Sequence, residues 1–254
     1  MDIDFSSQIE LSASLLKRSK YAVAFTGAGI STASGIPDFR SPGKGLWEKN
    51  DPFEVASLSA FIDHPEKFFN WIKPLFLQAR SAKPNPAHIY LARLENKGII
   101  KSIITQNIDG LHQESGAKRV IELHGSARTA TCPNCRSTYD IDHLFELFNR
   151  NDNLPTCSKC GHIIKPDVVL FEEMLPEKAW HSAHQEMQRA DLILVIGSSL
   201  EVYPASTLPN IAIRKGAKLI INTLSKTPMD LYADVLLPMD VTKSIPEIFH
   251  MIDS

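Results

Sequence analysis

Long apolar runs are absent from this chain of 254 residues, and none approaches the roughly 20 residues of a membrane-spanning helix. An excess of charge is also absent, because 27 Lys and Arg balance 29 Asp and Glu to a net charge of -2. That balance gives no reason to expect nucleic acid or a membrane surface as a partner. The acidic residues 1–5 lack the basic region and apolar core of a secretory signal. We therefore expect a soluble protein, cytoplasmic by default, and the composition indicates no oligomeric state.

Cysteine is scarce, and its four copies lie in one window, at Cys132, Cys135, Cys157 and Cys160. None is left for a nucleophile or for a distant disulfide. Positions 136 to 156, 21 residues, separate the two Cys-x-x-Cys pairs, which is close to the spacing of a zinc ribbon. A shell of four thiolates leaves no position for water, so we expect a structural zinc. Two disulfides or four free thiols are the alternatives, and the absence of a signal argues against the first.

Short apolar runs alternate with helical stretches along most of the chain, which predicts an α/β fold with a doubly wound, mostly parallel Rossmann-like sheet. A hydrophobic share of 43% suits one domain of moderate size or a large domain carrying a smaller one. We expect extended runs at residues 21–26, 99–104, 120–123, 167–171, 192–196, 219–221 and 235–237. Helices are expected at residues 6–19, 84–98, 175–189 and 204–215.

Two stretches depart from this alternation. Residues 42–80 are helical and rich in aromatic side chains, and residues 126–165 hold the cysteine pairs. We expect this helical insertion and this zinc-ribbon module to form a smaller domain. Residues 1–41, 81–125 and 166–254 would then form the discontinuous Rossmann-like domain.

Small or polar residues follow five of the expected strands. These endings are Thr26-Gly27, Thr105-Gln106-Asn107, His124-Gly125, Gly197-Ser198 and Asn222. In a parallel sheet the carboxyl ends of the strands gather at one edge, where ligands bind. The sequence therefore predicts one shared site at that edge.

The first of these endings opens a loop, Gly27 to Arg40, that reads GAGISTASGIPDFR. Its glycines would let the backbone turn sharply and bring main-chain N–H groups close to a phosphate. A dehydrogenase fingerprint would need glycine at Thr32, however, and the loop also lacks the Gly-Lys-Ser/Thr ending of a P-loop. Taken alone, it fits a dinucleotide site and an ordinary tight turn equally well.

The complete loop resembles the signature of the sirtuins, the NAD-dependent protein deacylases. The resemblance continues in order through TQNIDGLH (105–112), LHG (123–125), the two Cys-x-x-Cys pairs, KPDVVLF (165–171) and GSSLEVYPA (197–205). It covers about residues 20 to 242. It implies NAD as co-substrate, a structural zinc, and protein or peptide acyl-lysine as substrate.

The resemblance also implies a reaction and its catalytic residues. The acyl-lysine amide oxygen attacks the anomeric carbon of the nicotinamide ribose, and the products are nicotinamide, O-acyl-ADP-ribose and free lysine. His124 is implied as general base, for which a pKa near neutrality suits histidine. Asn107 is implied as the second catalytic residue. The alternative for His124 is a strand-terminal histidine satisfied by a backbone carbonyl.

The cofactor residues are implied in the same way. Asp109 and Ile108 would hold the nicotinamide carboxamide, while Asn107 and Gln106 reach the ribose, although Asn-Ile-Asp-Gly is also an ordinary turn. The loop would supply Gly27, Ala28, Gly29, Ser31, Thr32, Asp38, Phe39 over the ribose, and Arg40 near the phosphates. Asp38 and Arg40 could equally form a plain ion pair. The adenosine end would involve Gly197, Ser198, Ser199, Asn222, and Asp240 and Val241 after Met239.

Two extended segments are implied as edges between which a substrate peptide adds as a strand. They provide Val169, Leu170 and Phe171 on one side and Glu201, Val202 and Tyr203 on the other, and Phe39 and His124 complete an acyl-lysine tunnel. The alternative is two plain core strands. Relatives that prefer succinyl or malonyl groups carry Tyr and Arg where this chain has Ile72 and Leu75, so a neutral acyl group is expected.

One position departs from the family. Glu172 stands where relatives usually have glycine, and we hypothesise that its charge favours basic residues near the acyl-lysine. Two other functions stay open for the same site: mono-ADP-ribosyl transfer to protein, and NAD sensing without catalysis.

Overall fold

The computed structural model describes residues 4–39, 43, 45–48, 50–151 and 154–253. Within them, nine strands form two sheets. The strands are β1 (Ala22–Thr26), β2 (Ile100–Thr105), β3 (Val120–Glu122), β4 (Gly125–Thr131), β5 (Thr138–Asp140), β6 (Lys165–Val168), β7 (Leu192–Ile196), β8 (Lys218–Asn222) and β9 (Val235–Leu237).

The larger sheet has six strands in the order β3-β2-β1-β7-β8-β9, and every neighbouring pair is parallel. From β1 the chain moves outward to β2 and β3 on one side, and from β7 outward to β8 and β9 on the other. The order therefore reverses between β1 and β7, the place where doubly wound sheets bind ligands. This confirms the predicted Rossmann-like sheet.

The helices are α1 (Ser6–Arg18), α2 (Pro52–Val55), α3 (Leu58–Asp63), α4 (Pro65–Ser81), α5 (Pro86–Asn96), α6 (Leu111–Glu114), α7 (Ile141–Asn151), α8 (Glu177–Arg189), α9 (Leu208–Ile213) and α10 (Val241–Asp253). No helix in the described part of the chain is long and apolar enough to cross a membrane.

Helices cover both faces of the parallel sheet. Because side chains alternate along a strand, Ala22 and Ala24 of β1 pack on the face that α1, α5 and α10 cover. Val23 and Phe25 point to the opposite face, where α8 and α9 pack. All five residues of β1 and of β7 are buried, which explains why these runs, apart from Thr26, are apolar rather than alternating.

The smaller sheet is antiparallel, in the order β5-β4-β6, and shares an apolar cluster with the helical insertion. Phe68 and Phe69 of α4 are fully buried there. The rings of Phe69 and Phe148, on α4 and α7, lie 5.4 Å apart between centroids. The insertion and the cysteine module therefore pack as one body.

Several element boundaries differ from the sequence prediction. The extended run expected at 167–171 is instead β6 at Lys165–Val168. It includes Pro166, which is tolerated because β6 lies at the edge of its sheet. The helix expected at 175–189 begins at Glu177, after Pro176, and the one expected at 204–215 is a short 3-10 turn followed by α9. The sequence prediction missed α10 completely, although Val241, Ile245, Ile248 and Phe249 form its apolar stripe.

The carboxyl ends of β1 and β7 touch through backbone alone. Gly27 and Gly29 donate N–H bonds to the carbonyls of Ile196 and Gly197, at 3.1 and 2.8 Å. A Cβ built on Gly29 would lie 2.7 Å from the Gly197 oxygen, and one built on Gly197 would lie 2.2 Å from the Ile30 nitrogen. These N–H groups are therefore engaged within the chain. The close approach of the two loops is by itself a sufficient reason for glycine here.

We expect Gly197→Ala to lower the free energy of unfolding by about 3 kcal/mol or more, because it adds a backbone clash to the left-handed φ of 59°. Gly216→Ala is the matched control, since Gly216 has a φ of 86° and open space around it. That variant should lose only about 1 kcal/mol. Urea unfolding measures both. Equal losses would show that backbone conformation, not the contact between β1 and β7, decides the effect.

Candidate active site

Hydrogen bonds join the carboxyl ends of the central strands into one edge. The side chain of Asn107, after β2, donates to the Gly27 carbonyl at 3.2 Å. The Gln106 side chain donates to Ser198 Oγ, after β7, at 2.8 Å. His124, after β3, bonds the Gln106 carbonyl, and Asn222 at the end of β8 accepts from the Gly197 N–H. The five predicted strand endings therefore meet, as parallel strands require.

His124 has a defined tautomer. Its Nδ1 lies 2.9 Å from the Gln106 carbonyl oxygen, and a carbonyl can only accept, so Nδ1 carries the proton. Nε2 is then the basic nitrogen. Burial lowers the pKa of His124 below its usual 6.5, outweighing the bond to Gln106, which raises it. The ring is therefore neutral at neutral pH, with one nitrogen satisfied by the chain and the other able to take a proton.

Ser31 organises the polar side chains beside this ring. Its hydroxyl donates to Asp109 Oδ2 at 2.7 Å and accepts from the side chain of Asn107 at 3.1 Å. The other carboxylate oxygen, Asp109 Oδ1, accepts the Leu111 N–H at 2.9 Å. Ser31 is 1% exposed. The local turn expected around Asp109 thus exists, and it fixes a carboxylate and an amide side by side.

Two further histidines lie behind this group and stay uncharged. His112 Nε2 is 2.9 Å from Thr26 Oγ1, and burial lowers the pKa of His112 to about 3. His88 Nε2 is 3.4 Å from Ser31 Oγ, and burial lowers the pKa of His88 to about 4. The floor of the site is therefore neutral imidazole and hydroxyl groups, without fixed positive charge from either ring.

A cavity of about 320 Å³ extends from these polar groups between the parallel sheet and the helical insertion. Its polar end is lined by Ser31, Gln106, Asn107, Asp109 and His124, with Ala28 and Ile108 beside them. Aromatic rings form another wall. Phe39 stacks on Trp47 with centroids 5.1 Å apart, and Trp47 stacks on Trp71 at 5.8 Å.

Sequence reasoning missed Trp47 and Trp71. Both line the cavity, yet Trp47 follows the glycines at 43 and 45 and gives no motif of its own. The only signal was the concentration of aromatic residues in the insertion, which indicates packing and not a site.

The predicted substrate residues lie mostly at the cavity wall. Val169, Leu170, Phe171, Val202 and Tyr203 line it, whereas Glu201 is exposed and is not part of the lining. The Val169 N–H donates to the His124 carbonyl at 2.9 Å. Phe171 is already paired with the insertion, because its N–H donates to Ala56 and its carbonyl accepts from Leu58. A peptide strand would have to use other backbone groups of this segment.

Several predicted cofactor residues are engaged within the chain. Asn222 is 0% exposed, its amide group donates to the carbonyls of Leu237 and Met239, and its oxygen accepts from Ser244. Asp240 bonds the Thr242 N–H at the start of α10, and Val241 packs in the core. Asn222 and Val241 are thus buried within the chain, whereas Asp240 stays exposed.

The remaining predicted residues are placed as follows. The Ser198 hydroxyl accepts from Leu200 as well as from Gln106, and Ser199 is half-buried beside it. Thr32 is exposed, with its hydroxyl bonded to the Gly29 carbonyl. The Asp38 carbonyl accepts from the Leu46 N–H. Arg40 lies outside the described residues.

The four cysteines converge at the loops of the smaller sheet. Cys132 and Cys160 have their sulfurs 3.5 Å apart, Cys135 and Cys157 have theirs 3.4 Å apart, and all four lie within 4.8 Å of one another. A disulfide needs about 2.05 Å. A tetrahedron with zinc–sulfur bonds of about 2.3 Å has edges of about 3.8 Å, which these distances fit.

The loops that carry the cysteines have matching backbones. Arg136 and Gly161, each just after a second cysteine, donate N–H bonds to Cys132 and Cys157 at 3.0 and 2.8 Å. Both have positive φ, 61° and 75°. Two matching knuckles thus hold four thiols in a closed shell, which is a structural zinc site.

Comparison with known proteins agrees with this geometry. The sequence model of the family described as the Sir2 family matches residues 27–204. The chain belongs to the Sir2 family. Among its relatives, NAD-dependent protein deacylase 2 of Archaeoglobus fulgidus is 46% identical over 242 residues, 95% of this chain and 94% of that protein. NAD-dependent protein deacetylase of Saccharolobus solfataricus is 48% identical over 232 residues, 91% and 92% of the two chains.

Solved structures of Sir2 proteins have the same fold. One described as "Sir2-p53 peptide-NAD+" has a TM-score of 0.88 and 40% identity, and covers 98% of each chain. Another, "Structure of Sir2Tm bound to a propionylated peptide", has a TM-score of 0.87 and 41% identity, covering 95% of this chain and 97% of that one.

We expect the Sir2 chain to hold about one zinc ion, and Cys157→Ala to release it and lower the free energy of unfolding by about 3 kcal/mol or more. The closed thiolate shell makes the metal part of the folding free energy. Ser158→Ala, at an exposed position between two ligands, is the control and should keep the zinc. Metal analysis and urea unfolding provide the measurements. A zinc-free variant as stable as the parent would contradict the structural role.

Proposed function

We propose that this chain removes neutral acyl groups from protein lysine side chains with NAD as co-substrate, giving nicotinamide, O-acyl-ADP-ribose and free lysine. The observation that carries the proposal is His124, held as a neutral ring with Nε2 basic, which lines the same cavity as the Ser31, Asn107 and Asp109 group. The names of the relatives, NAD-dependent protein deacylase or deacetylase, support the same reaction. Their sequences align with nearly the full length of this chain.

NAD supplies the anomeric carbon that is attacked and the ADP-ribose that accepts the acyl group. In our proposal Asp109 and Ile108 bind the carboxamide, and Asn107 and Gln106 orient the ribose. The Asp109 carboxylate and the Asn107 amide are fixed before any ligand arrives, because both are bonded to Ser31. Such preorganisation lowers the entropic cost of aligning a weak nucleophile.

His124 would accept a proton at Nε2 from the ribose hydroxyls. Its lowered pKa keeps it in the basic form, and its bond to the Gln106 carbonyl stabilises the ring once it is protonated. Gln106 therefore links the base, through its carbonyl, to Ser198, through its side chain.

The apolar wall would surround the acyl-lysine and exclude water that competes for the anomeric carbon. Phe39, Val169, Phe171 and Val202 are the side chains that we assign to it. We further propose that the peptide adds as a strand between the segments that carry Val169 and Val202, a mode driven by backbone bonds that tolerates many sequences. Solved Sir2 structures with bound peptides support a peptide substrate.

We also propose that the chain divides into two domains. Residues 1–41, 81–125 and 166–254 would form the NAD-binding part, and residues 42–80 and 126–165 the smaller part. The two sheets and the apolar cluster shared by α4 and α7 support it, except at residue 165, where β6 crosses the boundary because Lys165–Val168 pairs with β4. The cavity then lies where the two parts face each other.

Mono-ADP-ribosyl transfer and NAD sensing are the competing functions, and no observation favours either. One experiment separates them: incubation with NAD and an acetyl-lysine peptide, followed by mass spectrometry. O-acetyl-ADP-ribose is the expected product. ADP-ribosylated protein without that product, or unconsumed NAD, would overturn the proposal in favour of transfer or sensing.

We expect kcat/KM to be constant at neutral pH and to fall on acidification only below about pH 6.5, since the lowered pKa keeps His124 neutral down to that range. The decline should approach tenfold per pH unit. His124→Ala should reduce kcat/KM about 10²- to 10⁴-fold and abolish the decline. His181→Ala, at an exposed position on α8, is the control. An unchanged acidic decline in His124→Ala would assign it to another group.

We expect acetyl-lysine to be turned over at least about tenfold faster than succinyl-lysine, because no Lys or Arg among the described residues lines the cavity to pair with a carboxylate. Ile72 and Leu75 line it instead. Leu75→Arg should narrow the ratio, and Leu75→Met is its apolar control. Matched peptides under saturating NAD provide the test. Faster desuccinylation than deacetylation by the parent enzyme would refute the neutral preference.

A further inference from the structure

Glu172 has an unusual backbone for its residue type. Its φ is 72°, in the left-handed region that favours glycine, and only Arg136 and Leu200 share this feature among the non-glycine residues described. Arg136 belongs to a zinc knuckle, and the Leu200 N–H is bonded to Ser198 Oγ. The conformation of Glu172 calls for a compensating interaction of its side chain.

That interaction is with Ser59, in the first turn of α3. Glu172 Oε2 accepts the Ser59 N–H at 2.9 Å and the Ser59 hydroxyl at 2.6 Å. These two bonds lower the pKa of Glu172, the hydroxyl bond contributing most, so the carboxylate stays ionised at neutral pH. One carboxylate oxygen, Oε2, is therefore occupied by α3.

The Glu172–Ser59 contact extends a backbone connection between the cavity wall and the insertion. Phe171 donates its N–H to the Ala56 carbonyl and accepts the Leu58 N–H, both at 3.0 Å. Ser57 and Phe171 form an isolated parallel bridge. Glu172 and Ser59 are the next residues after Phe171 and Leu58, and their two hydrogen bonds continue this connection. It is the one side chain of segment 169–173 that bonds α3 in the described structure.

The other end of segment 169–173 is attached to the catalytic edge. Val169 donates to the His124 carbonyl at 2.9 Å. Leu170 donates to Glu173 Oε2 at 2.8 Å, and that carboxylate pairs with Lys165 at 2.8 Å. The segment therefore spans the distance from the base to the insertion. The position of Val169 and Phe171 at the cavity depends on both attachments.

We propose that Glu172 is a positioning residue, which fixes the acyl-lysine wall by tying segment 169–173 to Ser59 of α3. The inference rests on the proposed function, since it concerns how that site binds its acyl-lysine. It is an alternative to the hypothesis that Glu172 selects basic peptides by its charge. A mobile wall would weaken acyl-peptide binding without altering the chemistry at His124.

Three variants test the contact. Glu172→Ala removes both bonds, Glu172→Gln keeps an oxygen acceptor at the same reach but removes the charge, and Ser59→Ala removes the hydroxyl bond alone. Glu54→Ala is the matched control, because Glu54 is also an exposed carboxylate on the insertion but pairs with Lys67. Acetylated peptides of equal length and opposite net charge serve as substrates, with O-acetyl-ADP-ribose measured.

We expect Glu172→Ala to raise the KM for both peptides about three- to tenfold, with kcat and the KM for NAD changed less than about twofold. Glu172→Gln should stay within about twofold of the parent, and Ser59→Ala should lie between the two. Adding Ser59→Ala to Glu172→Ala should cause no further increase. A parental KM in Glu172→Ala overturns the proposal. So does a Glu172→Gln enzyme that loses only the basic peptide, which would show selection by charge.

Hydrogen exchange of the peptide-free protein tests the contact without activity. Exchange should accelerate about fivefold or more at residues 57–59 and 169–172 in Glu172→Ala, and stay parental in Glu54→Ala. Unchanged exchange would overturn the proposal even if KM rises. An inactive parent enzyme with faster exchange in Glu172→Ala would instead contradict the proposed function and leave the contact supported.

Discussion

The site depends on the close contact between the carboxyl ends of β1 and β7. Both ends belong to the two most buried strands of the sheet, and their backbones approach until only glycine fits at Gly29 and Gly197. The contact lies at the switch point, so any shift of one strand end would separate Asn107 from Gly27 and Gln106 from Ser198. The packing of β1 against β7 therefore also fixes the positions of the side chains in the site.

Burial then sets the chemistry of the groups that this contact gathers. His88 and His112 are so thoroughly desolvated that they remain neutral, and they support Ser31 and Thr26 without adding charge. His124 is only half-buried, whereas His88 and His112 are 0% and 1% exposed, and it keeps one nitrogen as a base. Three histidines in one region thus differ in role through their depth and their partners. Composition alone could not distinguish them.

The smaller body supplies the second half of the cavity. Its apolar cluster combines the aromatic side chains of α4 and α7 with two of the zinc cysteines, Cys132 and Cys157. Loss of the metal would therefore disturb the packing of the insertion as well as the knuckles. The segment from Val169 to Glu173 connects this body to His124, through bonds at both of its ends. The zinc cysteines do not line the cavity, but Cys132 and Cys157 belong to the cluster that supports its wall.

The sequence by itself determined the features that are local or that recur as ordered motifs. Apolar runs such as Leu192–Ile196 predicted the parallel sheet, paired Cys-x-x-Cys predicted the zinc site, and the motif strings predicted the family and its reaction. Only the tertiary structure decided what Asn222, Asp240 and Glu172 do. Asn222 and Asp240 fasten the start of α10, and Glu172 reaches Ser59, which lies 113 residues away in the chain. The physical reason is that a polar side chain's role depends on which partner lies within about 3 Å, and those partners come from distant segments.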